Sequence, residues 1–161
     1  VTASLGPAFA SPKVARGAAY ADIDNDGALD VLITTNGGRA YLFHNEGGNN
    51  RSLRVKLVGT KSNRDGIGAV VRVTSGGNDS KKDQQEQTVH SGSSYLSQSE
   101  LVLTFGLGDK TKADAIEVQW PSGQLDKLTN VAGSQTITIH EGKGLVVNKA
   151  YRKPWIFSTP K

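Results

Sequence analysis

The chain has no cysteine and no methionine, only five prolines, and aromatics at 6% of its 161 residues. Without cysteine there is no disulfide scaffold, thiolate zinc site, CxxC redox motif or cysteine nucleophile. The compartment stays open, because exported bacterial proteins often lack cysteine too. No apolar run approaches the 18 or so residues a membrane-crossing helix needs, and no signal-peptide pattern is present. The chain starts at Val1, which gives the expectation of a trimmed or excised piece. No stretch keeps apolar residues at i, i+3, i+4 and i+7, so almost no helix is expected. No basic stripe is interleaved with aromatics, so nucleic acid is not an expected partner. The length suits one domain, or one with a small appendage.

What is present is charge of uneven sign and abundant turn residues. The net charge is +4. Residues 1–50 hold three basic and five acidic residues, a net −2, and the rest hold sixteen against ten, a net +6. Short alternating runs, punctuated by Gly, Asn, Asp and Ser, read as strands. They are 18–21, 30–34, 39–44, 52–58, 69–74, 84–90, 101–105, 115–120, 124–128 and 136–140. Leu53, Val55 and Leu57 alternate with Arg54 and Lys56, and Ile116, Val118 and Trp120 with Glu117 and Gln119. Period 2 sends the first set of each to a core and the second to water.

Two turns follow from residue chemistry. Pro121-Ser122-Gly123 and Asn36-Gly37-Gly38 each read as hairpin connections. The polar Gly47–Asn50 stretch, where the charge changes sign, is the expected boundary. The units are then 1–48, 49–142 and a trailing extension, 143–161. Tyr151, Trp155, Ile156 and Phe157 are expected to tie that extension to something apolar.

One segment carries chemistry. Asp22, Asp24, Asp26 and Asp30 fall at positions 1, 3, 5 and 9 of a nine-residue stretch. Wrapped into a loop, such carboxylates repel unless a cation lies among them. Ca2+ takes six to eight oxygens and tolerates irregular geometry, whereas Mg2+ demands a strict octahedron. Gly27 supplies a left-handed bend, and the Ala28 carbonyl falls at position 7. The candidate metal ligands are therefore Asp22, Asp24, Asp26, Ala28 and Asp30. An EF-hand is excluded, because position 12 is Ile33 and the flanks read as strands.

These motifs carry a resemblance. Arg16–Ala21 with the Asp22–Asp30 loop and Val31-Leu32-Ile33 resembles an FG-GAP (VCBS-type) repeat, the blade of integrin-α-like β-propellers. Four further motifs are similar to the ASPIC/UnbV domain that follows such blades. They are Asn63–Ala69, Gly92–Gln98, Phe105-Gly106-Leu107-Gly108 and Val118–Gly123, and the ending Ile137–Gly142 also fits. The resemblance covers roughly residues 16–142. It implies the C-terminal part of a cartilage-acidic-protein-like propeller protein. A propeller needs about four to eight blades, and this chain has residues for one. The remnant must pack on the β-domain or on another copy, since open strand edges are templates for self-association.

The expected fold is all-β: a β-sandwich or open barrel with a blade-like calcium-binding hairpin at its N-terminus. The expected function is a non-catalytic extracellular, secreted or periplasmic calcium-binding module that meets a protein or glycan partner. The alternatives are an accessory domain of a larger exported enzyme and a carbohydrate-binding module. Tyr95 and Trp120 are the speculative ligand-binding aromatics, though Trp120 beside a Pro-Ser-Gly turn also reads as core. His44, His90 and His140 are read as solvent-facing strand residues, and no G-x-S-x-G elbow accompanies the serines. Asn50 and Asn78 stand in N-x-S sequons.

Overall fold

A computed structural model describes residues 12–76 and 83–152. The sequon at Asn78 and the large apolar side chains Trp155, Ile156 and Phe157 lie outside the described residues. Eleven strands and no helix are found among the described residues: β1 (Ala15–Ala21), β2 (Asp30–Thr35), β3 (Tyr41–Phe43), β4 (Arg51–Val58), β5 (Val70–Ser75), β6 (Asp83–Thr88), β7 (Leu103–Gly108), β8 (Lys112–Gln119), β9 (Leu125–Ala132), β10 (Gln135–His140) and β11 (Gly144–Ala150). They form a three-stranded sheet, β1-β2-β3, and two four-stranded sheets, β11-β10-β4-β7 and β6-β5-β8-β9.

The two larger sheets make a sandwich, and the alternating residues build its core. Leu53, Val55 and Leu57 of β4 and Ile137 and Ile139 of β10 meet Val71, Val73, Ile116 and Val118 of the other sheet. Phe105 and Trp120 are the largest side chains fully inside. The Pro121–Gly123 hairpin closes as expected. The Gly123 N–H bonds the Trp120 carbonyl at 2.9 Å and Gly123 takes φ 87°, a type I turn followed by a left-handed residue.

One expectation changes and another gains detail. Arg54 does not face water: it is only 3% exposed, because the three-stranded sheet and its loop cover that side of β4. The extension after residue 142, expected to pack on the domain, does so as a strand that the sequence pattern did not announce: β11 pairs antiparallel with β10 at the edge of the sandwich. Leu145, Val146 and Val147 of β11 are each 40–52% exposed, so no buried face stamped an alternation on the sequence.

The three-stranded sheet is tied to the sandwich along the outer edge of β1. The amides of Ala18 and Tyr20 donate to the hydroxyls of Ser94 and Ser99, and the Asp22 amide donates to Glu100 Oε1. The Glu100 amide returns a bond to the Tyr20 carbonyl at 3.1 Å. The 94–100 loop thus takes the place of a fourth strand, and this edge is not open. Gly17 permits the approach: a Cβ there would lie 2.4 Å from Ser97 Oγ.

Candidate metal loop and its buried ion cluster

The β1–β2 connection is held wrapped by its own carboxylates. Asp22 accepts the Asp26 amide on Oδ1 at 3.1 Å and the Gly27 amide on Oδ2 at 2.9 Å. Asp24 accepts the Asp26 amide at 3.3 Å, and Asp26 accepts the Ala28 amide at 2.8 Å. Asn25 and Gly27 both take left-handed conformations, φ 63° and 92°. Gly27 is doubly required, because a Cβ there would sit 2.2 Å from the Tyr151 ring. Tyr151 is anchored in turn: its hydroxyl lies 3.0 Å from Ser52 Oγ, which donates to the Gly27 carbonyl at 2.9 Å. Of the aromatics expected to tie down the extension, this one does so against the loop.

The four aspartates are not equivalent. Asp24 and Asp26 each bring a carboxylate oxygen to one spot together with a ring nitrogen of His44, all within 4.8 Å of one another. Asp30, 2% exposed, acts as a clasp: it accepts the Ile23 amide at 3.1 Å and the Asn45 amide at 2.8 Å. Asp22, 6% exposed, points inward to Arg54, whose Nη1 is 2.8 Å from Asp22 Oδ2. Arg54 also pairs with Glu100. Two buried carboxylates therefore share one buried guanidinium. Burial pushes Asp22 and Glu100 above the usual carboxylate range, with Arg54 pulling the other way. For His44, desolvation pulls down, but the hydrogen bond to Asp24 and the charges of Asp30, Asp24 and Asp26 outweigh it and hold the imidazole above its ordinary value.

The donor chemistry fits a hard cation. Asp22 Oδ1, Asp24, Asp26 and the Ala28 carbonyl are oxygens on one tight loop, and an oxygen that accepts one amide keeps a second lone pair. His44 lies close but offers nitrogen, a softer donor that suits transition metals better. Its placement was readable from the turn at 36–38: if Val31 pairs with Phe43, the next pair is Asp30 with His44. Arg54 and Glu100 were not readable, because they depend on which surface the hairpin covers.

The chain matches the model for ASPIC and UnbV over residues 59–146, more than half its length. It belongs to the ASPIC and UnbV family. The matched span begins just after β4 and ends within β11, so it covers most of the sandwich but not β4. Cartilage acidic protein 1 of Homo sapiens is 33% identical over 129 residues, which is 78% of this chain and 18% of the human protein. The Xenopus tropicalis protein of the same name is 34% identical over 127 residues, 75% of this chain and 19% of that protein. The chain thus spans less than a fifth of these curated relatives.

The ASPIC/UnbV motifs quoted above occupy structural positions. Asn63 closes its loop on Ile67, donating to its carbonyl and accepting its amide. A Cβ on Gly66 would lie 2.8 Å from Leu57 Cβ. Glu141, 2% exposed, accepts the amides of Thr60, Lys61 and Ser62 on one oxygen, each at 2.7 Å, and the hydroxyls of Ser62 and Ser122 on the other. Burial alone would raise its pKa. The Ser122 hydroxyl and the three amides outweigh that and hold it well below the usual carboxylate range.

The aromatic candidates separate. Trp120 is 2% exposed and donates its indole N–H to Asp126 at 2.8 Å. Its ring faces lie in the core, so the ligand-platform reading of Trp120 is withdrawn. Tyr95 is 67% exposed on the 94–100 loop, next to Leu96 at 90% with φ 47°.

Proposed function

We propose that this chain is a non-catalytic, calcium-binding module of a larger extracellular protein, presenting a rigid surface to a protein or glycan partner. The prewrapped Asp22–Asp30 loop carries the reading. Asp22 Oδ1, Asp24, Asp26 and the Ala28 carbonyl would hold the ion, Asp30 would clasp the loop around it through the Ile23 and Asn45 amides, and His44 would orient Asp24. When bound, the cation offsets loop charges that otherwise face one another across a few ångströms. Millimolar calcium outside cells suits such a site, and the cartilage acidic protein relatives support the setting. The three-stranded sheet supports the larger assembly. Val31, Ile33, Tyr41 and Phe43 lie on one of its faces, and Leu32 and Leu42, 40% and 55% exposed, pair across the other. A sheet apolar on both faces is suited to cover on both.

Thermal melting tests it. With free Ca2+ at 100 times its dissociation constant, binding adds about 2.7 kcal/mol. For a domain of this size, each kcal/mol shifts Tm by about 2–4 °C. Chelation should lower Tm by several degrees, and an Asp24→Asn, Asp26→Asn double substitution should abolish the difference. Superimposed melting curves with EDTA and calcium would remove the metal reading. A shift with Zn2+ or Mn2+ and not with Ca2+ would replace calcium by a His44-ligated transition metal.

A further inference from the structure

Between the three-stranded sheet and the sandwich lies a cavity of about 190 Å³, lined among others by Tyr20, Gln87, His90, Ser99 and Glu100. We propose that it is a binding site for a primary alkylammonium group. The wall offers acceptors. Gln87 spends its amide N–H on the Thr104 carbonyl at 2.8 Å, which leaves its amide oxygen for an occupant. His90 Nδ1 lies 3.0 Å from the Thr88 carbonyl, which can only accept, so Nδ1–H donates there and Nε2 is the ring nitrogen left for an occupant. The Glu100 carboxylate lies in the wall, and Arg54 pairs with it and with the Asp22 carboxylate behind it. The Arg54 Nη donors are turned to those two carboxylates, so an anion would meet repulsion with few donors to receive it. Tyr20 lines the cavity and stays 42% exposed, a ring face suited to a cation. Leu29, Leu101 and Leu103 give an alkyl stem apolar contact. The volume takes one side chain, not a folded element.

The ammonium could belong to a partner's lysine or to a free amine. The test is titration of the isotope-labelled chain, followed by backbone amide shifts. The probes are n-butylammonium, the neutral N-butylacetamide, and a capped Gly-Lys-Gly peptide. Saturable shifts at residues 87–90 and 98–104 are expected with both cations and not with N-butylacetamide. Tyr20→Leu should weaken binding roughly two- to five-fold, and Gln87→Leu, on a strand facing solvent in part, should weaken it without touching β1. A peptide at least tenfold tighter than butylammonium assigns the site to a partner's lysine, and equal affinity assigns it to a free amine. No saturable shift with either cation, or equal shifts with N-butylacetamide, would overturn the inference. Either result with calcium-dependent melting retained would leave the metal reading standing.

Discussion

Arg54→Met isolates what the buried guanidinium does. The Arg54 side chain is 4% exposed, that of Asp22 0% and that of Glu100 14%. Methionine matches the stem and removes the charge, which leaves two carboxylates without their cation. Breaking a buried pair by deleting one partner costs about 3–5 kcal/mol, and two stranded carboxylates place this site at the upper end. With a urea m-value of about 1–3 kcal/mol/M, the midpoint should fall by roughly 2 M or more, read by fluorescence of the buried Trp120 or by circular dichroism. The sign with pH follows. Burial already raises both carboxyls, and losing Arg54 raises them further. The folded variant then binds more protons than the unfolded chain, so its stability rises as pH falls toward the unfolded carboxyl values, and the gap to the parent narrows between pH 7.5 and 5. Adding Asp22→Asn and Glu100→Gln to Arg54→Met should recover most of the loss, because neutral groups carry no uncompensated charge. An unfolding free energy at pH 7.5 within 1 kcal/mol of the parent's, or a deficit that grows on acidification, would refute the reasoning.

Three further outcomes are expected. Glu141→Gln should lower Tm at neutral pH. Because the folded carboxyl is depressed, the stability Glu141 gives is full above about pH 4.5 and fades as pH falls below it, so parent and variant should converge in acid melts. Thr104→Val deletes a buried hydroxyl that has no partner among the described residues, so stability should stay level or rise by up to about 1 kcal/mol; a clear loss in a denaturation curve would mean that the hydroxyl is bonded. Gly27→Ala meets both φ 92° and the Tyr151 ring, and should cost upward of about 1–2 kcal/mol. Proteolysis at residues 22–30, faster in the variant, checks that the damage is local.

Strands whose one face is buried were legible, because period 2 is the imprint of that burial. β4, β8 and β10 appear within a residue or two in β4 and β10 and three in β8. β11 left no imprint, since both its faces are largely exposed and only its backbone is used. Arg54 was misplaced for the converse reason: alternation tells inside from outside for one sheet, and a second sheet had covered the outside. The aspartate spacing announced a loop, but not that Asp22 would turn to an arginine and Asp30 to two amides, which tertiary contacts decide. Glu141 reads as an ordinary strand-end carboxylate until the 60–62 amides are brought to it from some eighty residues away.

The parallel pairing of β4 with β10, Leu53 beside Gln135 through Val58 beside His140, has a consequence for synthesis. β10 sits in the middle of its sheet, between β4 and β11. A ribosome must therefore deliver about eighty residues after β4 before that strand gains its second neighbour. Until then the flank of β4 is a waiting template for a foreign strand, and contacts of such sequence separation form slowly. The earlier-made hairpin can cover β4's outer face as soon as Arg54 meets Asp22, while Glu100, the other partner of Arg54, arrives 46 residues later with the loop that ties the hairpin down.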